Sequence, residues 1–271
     1  MNEPTLSQEF QPRPAGQVFK LQNDWLKLFH FLPSLQTSAT IYRSEGTIHC
    51  LPGQFPNMQL SSNSAFYSDG FRGISLNLDL WHEAWWYHEE RLGKMLPCLE
   101  IADENGRGLV KMCYESSEKA QADFKILELL IEQEEDEWSI LHLRKANLMN
   151  CDFNRHRTQS SQALKHLLSI QSEARRKKLE LGLLAPHGNQ STWDNLPAMQ
   201  MNPSCCWLSF GRGETYFNIQ PSSFRRAEVS RSENRSVALF YDENEEIALS
   251  IIEPEGAALK SFQAIAQPLS S

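Results

Sequence analysis

Two stretches of the chain read as one piece of structure used twice. Residues 99–106, Leu-Glu-Ile-Ala-Asp-Glu-Asn-Gly, precede the apolar Leu109 and Val110; residues 238–245, Ala-Leu-Phe-Tyr-Asp-Glu-Asn-Glu, precede Ile247, Ala248 and Leu249. Each is an apolar strand, a polar Asp-Glu-Asn turn and a second strand. Asp and Asn suit such turns because their short side chains bond nearby backbone and tolerate left-handed angles. The repetition predicts two related halves, with Asp103 and Asp242 at equivalent turns of sheet units over residues about 35–135 and 200–265.

A chain of 271 residues is long enough for two such units, and its 41% apolar content, with 7 Trp and 14 Phe, supplies a sizeable core. The formal charge of −8 argues against nucleic acid as a partner, because that contact relies on a basic surface to release counterions. A local basic run, Arg175-Arg176-Lys177-Lys178, reads as a solvated helix face. The cysteines at 50, 98, 113, 151, 205 and 206 form no Cys-x-x-Cys pair and no zinc spacing, so buried thiols are expected. No basic leader with an apolar run opens the sequence, and no stretch reaches the roughly 18 apolar residues of a membrane span. No membrane insertion is therefore expected, and the cytoplasm is the inferred location.

Residues 1–17, with Pro4, Pro12 and Pro14, read as a loose arm. A first repeat is placed at 18–137. Asn23 and Asp24 can cap a short helix carrying Trp25, Leu28, Phe29 and Leu32, which Pro33 stops. Thr40–Arg43 and Thr47–Cys50 flank Ser44-Glu45-Gly46 as a hairpin. Ile74, Leu76, Leu78 and Leu80 alternate with Ser75, Asn77, Asp79 and Trp81, which predicts one strand with Asn77, Asp79 and Trp81 on its polar face. Ala120, Phe124, Leu127, Leu130 and Ile131 mark an amphipathic helix, and the acidic run, Glu132 to Glu137, is expected as a solvated helix end or loop. Residues 138–200 read as a helical connecting region, with helices around Trp138 to Leu148 and Leu164 to Leu168 and an irregular stretch from Pro186 to Pro203. A shortened second repeat, 201–271, follows with strands near 205–210, 216–219, 237–241 and 247–252 and a closing helix at 257–266. Strands grouped between helices indicate an α+β class of mainly antiparallel sheet.

Phosphate-loop, nucleophile-elbow and zinc-protease signatures are absent. Residues 39–49, Ala-Thr-Ile-Tyr-Arg-Ser-Glu-Gly-Thr-Ile-His, resemble the opening hairpin of the HemS/ChuS hemin-degrading and heme-trafficking proteins. The strand ending at Trp85, the stretch from Cys98 to Tyr114 with Asp103, Gly106, Lys111 and Tyr114, and in the second half Phe217-Asn218-Ile219 and Val237 to Ile247 are similar to further strands of that family. The resemblance covers about two thirds of the chain. It implies a cytoplasmic protein of two repeated halves that holds heme between them. A helical histidine of the connecting region would bind the iron, with arginines on the propionates and the distal side.

Aligning Leu167-Leu168 and Arg175 with the family's linker helix puts Gln162 at the axial-histidine position; Asp79 stands at the distal arginine, and an expected second-half arginine falls near Ser222. His166 lies one helical turn after Gln162 and is the substitute iron ligand, with His187 a further candidate. Trp81 corresponds to an aromatic residue that the family presents to heme, with core packing the alternative; Arg43 and His49 match its hairpin, where strand cross-pairs or turn stabilisation also account for them; and Arg225 and Arg226 are candidate propionate partners. The resulting expectation is heme uptake or utilisation: trafficking or storage, with heme degradation, iron transport, a heme transporter and an electron donor implied by the resemblance. The rival is a non-heme member of the fold acting through protein contact at Trp81, Trp85 and Trp86. A ChuX/HutX-like carrier is the third reading, because Gly53-Gln54-Phe55-Pro56 resembles that group's turn.

Overall fold

The structure, a computed structural model, describes residues 14–44, 46–91, 93–135, 162–187, 190–198, 208–232 and 235–266. Contacts divide the chain into one unit of residues 1–42, 51–65 and 77–152 and a second of 43–50, 66–76 and 153–271. The fold is α+β, and its strands pair antiparallel in two sheets.

In the first unit, β1 (Pro14–Leu21), β7 (Glu83–Arg91), β8 (Lys94–Ala102), β9 (Gly108–Cys113) and β2 (Ala39–Ser44) lie side by side, with β10 (Ile131–Glu135) beyond β1. Side chains alternate across β7. Trp86 therefore packs with Phe124 of α2 (Ser117–Leu127), ring centroids 5.4 Å apart, while Trp85 and Tyr87 join Val18 and Cys98 in a separate cluster. The expected cap of α1 (Trp25–Phe31) is present, Asp24 accepting from Lys27 N–H; at the start of α2, Ser116, which the sequence reading does not single out, accepts from Lys119 N–H. A short strand, β4 (Gln59–Ser61), also belongs to this unit.

The second unit repeats the order. There β15 (Arg226–Arg231), β16 (Ser236–Tyr241), β17 (Ile247–Ile252) and β11 (Glu180–His187) are successive neighbours, as β7, β8, β9 and β2 are in the first. β12 (Gln190–Pro197) follows, then β6 (Arg72–Asn77) and β5 (Ser64–Ser68); β3 (Thr47–Pro52), β14 (Thr215–Ile219) and β13 (Leu208–Arg212) form another ladder. Its core joins Leu167 and Ile170 of α3 (Gln162–Lys177) to Leu181, Leu183, Phe210, Phe240 and, from α4 (Lys260–Ala266), Phe262.

The repeated turns agree bond for bond. Asp103 N–H donates to Arg107 O and its carboxylate accepts from Asn105 and Arg107 N–H; Asp242 does the same with Glu246, Asn244 and Glu246. The left-handed position falls on Gly106 in one and on Glu245, φ 61°, in the other. The two related halves expected from this motif are therefore present in the fold.

Several expectations give way. Residues 180–187 and 190–197 are strands rather than part of a helical connection. Leu181, Leu183 and Ala185 are buried in strict alternation, a period of two that Gly182 and Pro186 disguise. Ile131 to Glu135 form an edge strand on β1, not a helix end; pairing with β1 supplies backbone partners that solvent would otherwise supply, and charge suits an edge. Residues 14–17 of the expected loose arm belong to β1. The strand through Ile74 stops at Asn77, because its side chain accepts from Asp79 N–H, 3.0 Å, and opens a 3-10 turn over Leu78–Leu80. The helix expected around Trp138 to Leu148 lies outside the described residues.

Candidate functional site

The 3-10 turn separates the side chains that alternation had placed together. Asp79 is exposed and accepts from Asn63 Nδ2 at 2.7 Å, whereas Trp81 is 2% exposed. The indole packs against Trp25 and Phe29, centroids 6.2 and 6.4 Å away. Trp81 is thus a core residue rather than one presented to a pocket, and neither it nor the buried Trp85 and Trp86 forms an exposed aromatic patch. Phe55 of the Gly-Gln-Phe-Pro turn joins the same core, edge-on to Phe29 at 6.1 Å. A cavity of about 350 Å³ lies beside it, lined by Phe29, His30, Met58 and Leu60; none of the candidate site residues reaches it.

Gln162 is the first residue of α3 and is exposed. One turn on, His166 is half-buried at the margin of the stripe formed by Ala163, Leu167 and Ile170. Burial pushes its pKa down, which favours the neutral imidazole, the form in which a ring nitrogen keeps its lone pair. α3 packs against α4, β15 and the 3-10 turn Pro221–Ser223. The elements that carry His166, Ser222 and Arg226 therefore share one corner of the second unit.

The arginines at that corner are committed. Arg226 stacks on the Tyr241 ring, 3.5 Å from its centroid, and bonds Glu245 and Glu228, which push its pKa up. Arg225 lies 3.6 Å from Glu243. Arg43 is half-buried on β2, and His187 ends β11 with its side chain outside the described set. The basic run closes α3, where cations suit the helix C-terminus; Lys177 reaches Glu173 and the Ala257 carbonyl.

His49 takes the strand-pair role: on β3 it stands directly opposite Phe217 of β14. The ring is fully buried, stacked on Phe217 with centroids 3.9 Å apart, and its Nε2 lies 3.5 Å from Asp194 Oδ2. Burial pushes the His49 pKa down, against an upward pull from Asp194. In the first unit, Lys111 pairs with Glu89 and Tyr87 donates to Glu100, all buried on one sheet face. Strand alternation could have placed Tyr87 with Glu89 and Lys111 with Cys113; nothing local signals which strands become neighbours. Among the described residues, no three His, Cys, Asp or Glu side chains converge as a metal site, and no helix is long and apolar enough to cross a membrane.

No family model matches the chain, and no curated protein matches it. Solved structures do. The heme degrading enzyme ChuS of Escherichia coli O157:H7 aligns over 93% of this chain and 87% of its own, with 13% identity and a TM-score of 0.68. Holo-PhuS, a heme-binding protein from Pseudomonas aeruginosa, aligns over 93% and 88%, with 15% identity and a TM-score of 0.68. An E. coli heme oxygenase structure of ChuS gives 14% identity and a TM-score of 0.65 over 92% and 89%. At such identity the likeness speaks for architecture: the chain has a ChuS-like fold of two related halves.

Proposed function

We propose that this protein binds heme in the cytoplasm and stores it or passes it on, with His166 as the iron ligand. The observation that carries this reading is a half-buried imidazole on α3, its pKa pushed down by burial, in a chain whose fold follows heme-binding proteins over 93% of its length. Neutral imidazole is a strong ligand for heme iron. Gln162, exposed one turn earlier, has no imidazole to offer. The acid groups of a porphyrin find less: Arg225 and Arg226 already hold Glu243, Glu245 and Glu228, and Asp79 places a carboxylate where a distal cation is expected. The residues therefore fit iron ligation and do not fit an arginine clamp on the propionates. Bound iron would supply redox chemistry; the chain's contribution is ligation and partial exclusion of water.

Hemin titrated into the full chain should sharpen the Soret band at one equivalent. His166→Ala should abolish the histidine-ligated spectrum without loss of fold, since a helical alanine at this half-buried position changes stability by about 1 kcal/mol or less. Gln162→His should strengthen ligation. An unchanged spectrum in His166→Ala overturns that ligand. Absence of any hemin-induced band beyond that of an unrelated acidic protein removes the heme reading.

A further inference from the structure

The antiparallel register sets Cys98 of β8 directly opposite Cys113 of β9. Which kind of opposition this is follows from the hydrogen bonds. The Cys113 carbonyl accepts from Ser38 N–H at 2.8 Å, on the β2 side of its strand. In a strand, a residue's N–H and C=O point to the same side, so toward β8 Cys113 occupies a non-hydrogen-bonded position. Opposed Cα atoms there are about 4.5 Å apart, with side chains on the same face. Disulfides span Cα separations of about 4.4–6.8 Å. Both cysteines are reduced, outside any disulfide, and 0% and 1% exposed. Cys98 Sγ also lies 3.6 Å from the Tyr87 carbonyl, which holds it in the sheet face it shares with Glu89 and Lys111.

We propose that Cys98 and Cys113 are a latent cross-strand redox pair that closes to a disulfide when the protein meets hydrogen peroxide. One sulfur attacks the peroxide O–O bond and becomes a sulfenic acid, releasing one water; the second thiol displaces that hydroxyl, forming the S–S bond and releasing another. Two thiols and one peroxide thus give one disulfide and two waters, the sulfurs losing the two electrons that the peroxide gains. Burial pushes the Cys98 thiol pKa up, with Lys111 pulling against it, so the reactive thiolate is scarce while the sheet is closed. The pair therefore responds slowly, after strand opening, and once closed it staples β8 to β9 around the Asp103 turn. The inference is independent of heme binding.

The test uses the full, heme-free chain. After incubation with hydrogen peroxide, thiols are alkylated in denaturant and the protein is mapped without reduction. The expected product is a peptide pair joining Cys98 to Cys113, two hydrogens lighter than the free peptides and separated again by dithiothreitol. The oxidised chain should also melt at a higher temperature than the reduced one, because the bridge restricts the unfolded chain. Cys113→Ser should leave Cys98 alkylatable. Should that variant fail to fold, the wild-type map decides alone. Full alkylation of both thiols, sulfinic acid at either, or linkage of either to Cys50 or another cysteine overturns the proposal.

Discussion

At the scale of single residues, the buried charges carry the sharpest consequences. Lys111 and Glu89 face each other in the interior of the first unit, where an ion without its partner cannot recover hydration. Lys111→Met should destabilise by about 3–5 kcal/mol, and adding Glu89→Leu should recover most of the loss, because what costs is the stranded charge rather than the missing pair. Urea unfolding of the single and double variants measures both. A double variant no more stable than the single would show that the pair itself, not desolvation, holds the sheet. Lys111 and Tyr114 were legible as members of a hairpin, but their partners were not. Glu89 is supplied by β7, and only the β7–β8–β9 pairing brings it within reach.

At the scale of elements, local chemistry accounts for most of what the sequence foretold. The cap of α1 and the two Asp turns depend on residues within a few positions of one another, so they could be read before any fold was known. The opening of α4 is different. Its first two N–H groups, Lys260 and Ser261, are bonded by Glu173 of α3, 3.1 and 2.8 Å away, a cap supplied from a distant element. Burial would raise the Glu173 pKa, but these N–H groups and Lys177 hold it down to about 2. Glu173→Gln should lower stability by about 1–2 kcal/mol, since a charge-assisted cap becomes a neutral one. Hydrogen exchange localises the effect: the Lys260 and Ser261 amides should exchange faster in the variant. Equal exchange would mean that α4 does not depend on this contact.

Across the molecule, acid should act in two stages. His49 is buried with a lowered pKa, so below its unfolded value of about 6.5 the unfolded chain takes up a proton that the folded chain refuses. Stability is then complete above that pH and declines as pH falls through it. Glu173 adds a second loss: its contribution is present above the unfolded carboxylate value of about 4.3 and disappears as pH falls toward about 2. Chemical denaturation from pH 8 to 4 should show the first decline, and His49→Gln, if folded, should make it shallower near pH 6, the remainder coming from His166 and His88, whose pKa values burial also pushes down. A wild-type curve that is level between pH 7 and 5.5 would rule out the buried-imidazole account.

The sequence alone determined the α+β class, the duplicated hairpin and the short capped helices, because these rest on spacings of two and 3.6 residues and on side chains bonding their own neighbours. Tertiary structure decided the rest. It made strands of residues 180–187 and 190–197 by pairing them with β17 and β6, ended the Ile74 strand at Asn77, buried Trp81, and set His49 against Asp194. It also tied Arg225 and Arg226 to carboxylates of the β16–β17 turn and of β15. Each of these outcomes depends on which strands become neighbours, and strand pairing joins residues far apart in the chain by backbone groups that every residue shares. Side-chain patterns announce that a strand exists; they carry little information about the strand that will lie beside it.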